Sequence, residues 1–123
     1  MPHPRRTVQA AVTAVLHAAG APWRRVADGE WGMVVEDVGG RPLEVGLRLS
    51  GGLLRIQAWV APPGVLDRHH LLHANRLGTL VRYAEASDGS VHVHAELLEE
   101  HVDGASLDRV LGRLVDAAEA VRR

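Results

Sequence analysis

Between residues 31 and 60 the apolar side chains recur at every second position, and that period leaves little choice of fold. Trp31, Met33 and Val35 alternate with Gly32, Val34 and Glu36, while Leu43, Val45, Leu47 and Leu49 alternate with Glu44, Gly46 and Arg48. Leu54, Ile56, Ala58 and Val60 form a third such run. Successive side chains of a strand point to opposite faces, so each run reads as a strand with one buried face. Gly39-Gly40 and Ser50-Gly51-Gly52 stand between the runs and tolerate the positive φ that tight hairpins need. The expectation is an antiparallel three-stranded meander. Pro62-Pro63-Gly64 closes it, because proline has no N–H to give a ladder.

The flanks change period. Over residues 4–19, Val8, Ala11, Val12, Val15, Leu16 and Ala19 follow the spacing of one helical stripe, and Gly20 with Pro22 ends it. Asp67 suits the N-cap of a short helix over 67–77, with Leu71, Leu72 and Ala74 available for packing and Gly78 after it. Two further alternating runs, 79–86 and 91–97, flank Ser87-Asp88-Gly89-Ser90, whose Asp-Gly pair signals a hairpin. Ser106 suits the cap of a last helix carrying Leu107, Val110, Leu111, Leu114, Val115, Ala118 and Val121 on one stripe. Trp23 begins a strand or a loop and is not placed by pattern. The predicted fold class is α+β, a single antiparallel five-stranded sheet with helices in the order α-β-β-β-α-β-β-α. One domain over residues 1–123 is expected, without repeats or linkers.

Composition excludes several function classes. There are no cysteines, which removes disulfides, thiolate nucleophiles and cysteine-based metal sites. All 14 positive charges are arginine, the habit of a GC-rich bacterial genome, and 15 acidic residues leave a net charge of −1. Attraction to phosphate backbones is therefore weak, and no nucleic-acid partner is expected. No run of about 18 apolar residues exists to span a bilayer, and Gln9, Thr13 and His17 interrupt the segment where a signal peptide would be apolar. A cytoplasmic protein with no membrane partner is expected.

The middle segment Leu71-Leu72-His73-Ala74-Asn75-Arg76-Leu77, followed by an Asp-Gly hairpin and a terminal amphipathic helix, resembles the YbjN family and the type III secretion chaperones of the Tir-chaperone type. The architectural resemblance runs from about residue 4 to 123, and the wording is shared mainly over 71–97. It implies a dimeric, non-enzymatic protein that holds another polypeptide or modulates a pathway. Asn75 carries the motif. An asparagine among apolar neighbours generally hydrogen-bonds nearby backbone, so it is read as a scaffold residue.

Eight histidines are the unusual chemical resource. His69 and His73 are spaced i, i+4, and His92 and His94 share one face of a strand, so each pair could bring two imidazoles to a zinc or copper ion. A metal site also needs further ligands and groups to orient them, and no HExxH motif is present. Solvated faces are the simpler account of all four. Ser50, Ser87, Ser90 and Ser106 sit where turns or caps require them, the glycine pairs fit no phosphate-binding pattern, and Glu96, Glu99 and Glu100 read as a charged edge. No catalytic residue, cofactor or metal is therefore assigned.

Binding is the better prospect. If Leu54, Ile56, Ala58 and Val60 face the core, Arg55, Gln57 and Trp59 face outward, and an outward tryptophan is characteristic of interface centres. The expected function is a protein-binding module, chaperone-like or a regulatory adaptor, acting as a homodimer on a protein or peptide partner through Trp59, Arg55 and Gln57. The alternative is a histidine-based metal-binding protein.

Overall fold

The alternating runs become strands of one antiparallel sheet. In the computed structural model, which describes residues 4–122 with side chains from residue 7, they are β2 (Glu30–Val38), β3 (Arg41–Ser50) and β4 (Leu53–Ala61). They are preceded by α1 (Pro4–Ala18) and β1 (Trp23–Ala27), and followed by α2 (Arg68–Leu77), β5 (Arg82–Glu85), β6 (Val91–Leu98), a 3-10 turn (Glu99–His101) and α3 (Gly104–Arg122). Strand order across the sheet is β1-β2-β3-β4-β6-β5. The architecture is α+β as expected, with six strands rather than five.

The additional strand is β1. It shows no alternation of burial because it lies at the sheet margin, where Arg25, on the side that faces α1, bonds Gln9 at 2.8 Å and Asp28 at 2.7 Å. The Asp28-Gly29 turn returns the chain into β2, pairing Ala27 with Glu30. Two further boundaries differ from expectation. The strand expected over 79–86 shortens to Arg82–Glu85, since Leu80 adopts φ 69 and turns the chain before a ladder can start. The last helix is capped by Asp103 rather than Ser106. The Asp103 carboxylate accepts the Ser106 N–H at 2.8 Å, and the Ser106 hydroxyl accepts the Asp103 N–H at 3.2 Å.

The inner face of the sheet makes the core. Trp31, Leu43, Leu47, Leu54, Ile56 and Val93 are buried beneath Val12 and Leu16 of α1 and Leu107 and Leu114 of α3. Each such side chain contributes about 1.5–3 kcal/mol by leaving water. Trp31 is 2% exposed, and its indole N–H has no acceptor among the described residues.

The end of α3 is fastened to the sheet by a single guanidinium. Arg122 donates to the carbonyls of Val60, Val38 and Pro42 at 3.0–3.1 Å and to those of Trp59 and Arg41 at 3.2–3.3 Å. The β2–β3 turn beneath it is Gly39-Gly40, with φ of 65° and 87°. A Cβ on Gly39 would lie 2.5 Å from Cβ of Arg122, so glycine serves both the turn and the close approach.

At the other margin, Asn75 of α2 fastens β5. Its side-chain carbonyl accepts the Tyr83 N–H at 2.7 Å and its amide donates to the Tyr83 carbonyl at 2.9 Å, as a neighbouring strand would. The Tyr83 hydroxyl then reaches the Ala117 carbonyl of α3 at 2.7 Å. Asn75 thus acts as the scaffold residue expected. Of the two leucines expected to pack from α2, Leu71 is buried, while Leu72, one position around the helix, is 65% exposed.

Candidate protein-binding face

Both long helices lie on the inner face, so the outer face of the same strands is open. The register fixes what it displays. One cross-strand row runs Glu30, Arg48, Arg55, Glu96, and the next runs Arg24, Gly32, Gly46, Gln57, His94, Arg82. Further along, Trp59 pairs with His92. Arg55, Gln57 and Trp59 therefore come together on β4, exposed and pointing outward.

Trp59 is 41% exposed, and the Arg41 guanidinium lies 5.9 Å from its ring centroid. That cation–π contact restrains the ring, and the Arg122 bond to the Trp59 carbonyl holds its backbone at the rim of the sheet. Arg55 stands opposite Arg48, a repulsive pairing, and the row places Glu30 and Glu96 outside them. Glu30 pairs with Arg48 at 3.4 Å, and Glu96 is bonded by Arg82, which holds its carboxyl below the ordinary range. Both rows line a trough of about 990 Å³ whose floor is the Gly32–Gly46 pair. Sequence reading took those two glycines only as outward positions of strands, since nothing in their spacing of 14 residues says they meet.

The histidines are dispersed. His69 and His73 are exposed on α2. His92 and His94 lie half-buried on the outer face with ring centroids 6.1 Å apart, and among the described residues no group of three potential ligands gathers around either pair. Burial first, then the positive charges of Arg82, His92 and Arg55, holds His94 below its ordinary value, against the pull of Glu96.

Asp88, Ser90 and His92 bring together the side-chain types of a hydrolytic triad in the wrong sequence. The Ser90 hydroxyl donates to Asp88 at 2.6 Å and lies 3.2 Å from Nε2 of His92, so the serine stands between base and acid. Ser90 is also buried, and its own N–H bonds Asp88 at 2.9 Å. This is a turn closing the β5–β6 hairpin, with no exposed nucleophile. Elsewhere, Val65, Leu72, Leu77 and Leu80 form exposed apolar surface on and beside α2.

The fold defined by these elements is that of the type III secretion chaperones. Among solved structures, the chain is similar to the chaperone in the HopA1–SchA chaperone–effector complex, with a TM-score of 0.75 and 13% identity over 96% of this chain and 94% of that one. It is likewise similar to the Yersinia pestis type III secretion chaperone SycH, seen in complex with a stable fragment of YscM2, at a TM-score of 0.71 and 17% identity over 94% and 99%. The ExoT–SpcS complex of Pseudomonas aeruginosa supplies a third, at 0.65 and 14% over 98% and 99%. None of these three is a YbjN protein. No family model matches the sequence. No curated protein matches it either.

Proposed function

We propose that this chain is a non-enzymatic protein-binding module, chaperone-like or a regulatory adaptor, that works in the cytoplasm as a homodimer and folds as one domain over residues 1–123. The observation that carries this reading is the open outer face with Trp59 fixed, exposed, at its rim. A large aromatic in that setting offers contact area at little cost in side-chain freedom, which is why tryptophan concentrates at interface centres. Arg55 and Gln57 beside it give the patch hydrogen-bonding specificity. The three solved structures named above are complexes with other polypeptides, which supports a protein partner.

The test is light scattering on the purified chain and on Trp59→Ala, together with recovery of polypeptides from the native host. A dimer mass for the wild type, and loss of assembly or of a recovered partner in Trp59→Ala at nearly unchanged melting temperature, is the expected result. A strict monomer whose partner recovery is indifferent to the substitution overturns it.

A further inference from the structure

Gly32 and Gly46 pose a problem that the fold does not answer. Both lie in strand interiors, where glycine weakens a strand by giving up side-chain packing and backbone order. Neither has a positive φ, and the register runs without a bulge from Glu30 to Val35 and from Val45 to Ser50. Space does not demand them. A Cβ on Gly46 would meet only the Gln57 carbonyl at 3.9 Å, and one on Gly32 would meet Val26 at 3.8 Å and Nε of Arg24 at 3.9 Å, all ordinary contacts. Yet the two are direct partners across β2 and β3, so their missing side chains coincide as one bare area of backbone. Where neither a bulge nor packing requires it, a glycine inside a regular strand points to close approach by another molecule.

The surroundings of this bare floor are selective. Val26, 54% exposed, and Val34 border it with apolar surface. The ion pairs Arg48–Glu30 and Arg82–Glu96 occupy four of the charged groups of the trough. Arg24 and Arg55 make no hydrogen bond or ion pair within 4 Å among the described residues, although Arg55 also acts on Glu96 across the strand pair, and only the carboxylate of Glu44 is left against them. The trough is therefore cationic locally in a chain whose net charge is −1. Its lining crosses all six strands from Arg24 to Arg82, at about 4.8 Å per strand, a span that suits a chain segment better than a small molecule.

We infer that the Gly32–Gly46 trough seats an extended, acidic segment of a partner polypeptide, with a large apolar side chain on the glycine floor and carboxylates toward Arg24 and Arg55. This rests on the protein-binding reading above and adds to it a seat separate from Trp59 and a chemistry for the occupant. Burial first, and the positive charges of Arg82, His92 and Arg55 after it, lower the proton affinity of His94 beside this trough.

The probes are two fluorescein-labelled decapeptides, one alternating phenylalanine and leucine with aspartate and the other with lysine in place of aspartate, titrated by fluorescence anisotropy. The aspartate peptide is expected to bind at least about tenfold more tightly than the lysine peptide and to weaken with added salt. Gly46→Leu, which projects a side chain into the trough, is expected to abolish that binding while the melting temperature holds or rises. The double variant Arg24→Glu with Arg55→Glu is expected to reverse the preference. Equal affinity for the two peptides, no binding of either, or undiminished binding by Gly46→Leu overturns the inference. So does a change of oligomeric mass in Gly46→Leu, which would make the trough a contact between copies. Recovery of a host polypeptide that is lost in Trp59→Ala but kept in Gly46→Leu would sink the trough alone and leave the protein-binding reading standing.

Discussion

The two faces of this sheet are made by the same strands, residue by residue, and have opposite physical characters. On β4, Leu54, Ile56, Ala58 and Val60 are at most 2% exposed, whereas Arg55, Gln57 and Trp59 between them face solvent. The inner side is close-packed under two helices, so it resists change. The outer side has charge, a tryptophan and a glycine floor, none of which the fold needs. The packed core and the solvent-facing surface are thus separated by one position along a strand. The sharpest way to break this comparison is to truncate neighbours. Ile56→Ala is expected to cost about 2–5 kcal/mol in urea unfolding, by lost burial and a residual cavity. Gln57→Ala is expected to stay within about 0.5 kcal/mol. Similar losses from both would mean that the outer face is covered as well.

Arg122 tests a place where the helical layer reaches the rim of the outer face. Its guanidinium satisfies carbonyls from both sides of the β2–β3 turn and from the end of β4, including that of Trp59. Arg122→Ala is expected to lower stability by about 2 kcal/mol, a typical loss for charge-assisted hydrogen bonds. Lysine has no planar fork, so Arg122→Lys should recover less than half of that in the same denaturation series. Full recovery would reduce the arginine to a point charge.

What the sequence disclosed follows the same division. The inner face was legible because burial imposes a period, and Trp31, Met33, Leu43, Val45 and Ile56 all lie where alternation puts them. The outward set Arg55, Gln57 and Trp59 followed by elimination from that period. β1 was missed because a marginal strand has no dry side, although Asp28-Gly29 was a turn signal of the kind used correctly at Asp88-Gly89. The trough was hidden for a different reason. Counted from the Val38–Arg41 pair at the turn, Gly32 would face Leu47, and the irregularity between Val35 and Val38 moves it opposite Gly46. A bulge of that kind is a product of the folded sheet and leaves no residue pattern to read.

A smaller effect is expected at the margin, where α2 holds β5 through Asn75. Replacing it by alanine leaves the Tyr83 N–H and carbonyl without their partners, at a cost of about 1–2 kcal/mol. The loss should be local, because β5 is a four-residue edge strand. Amide exchange at Tyr83 and its neighbours is expected to accelerate, with β3 and β4 protected as before. Uniform acceleration across the sheet would instead make Asn75 part of the central cooperative unit.

The smallest effect separates the faces by pH. His94 on the outer side is held below its ordinary value of 6.5, chiefly by burial and then by Arg82, His92 and Arg55. Below 6.5 the unfolded chain therefore binds a proton that the folded chain still refuses. The stabilising contribution of neutral His94 is complete above pH 6.5 and is lost as pH falls through the lower folded-state value. The wild-type melting temperature should accordingly begin to decline on that side of neutrality, and His94→Gln should remove that portion of the decline. Glu96, lowered from 4.5 by Arg82, titrates in a more acid window and does not confuse the comparison. Ile56→Val, buried on the inner side, should lower the profile evenly without altering its shape. An unchanged slope in His94→Gln would mean that neither burial nor the cations of the outer face act on this imidazole strongly enough to matter.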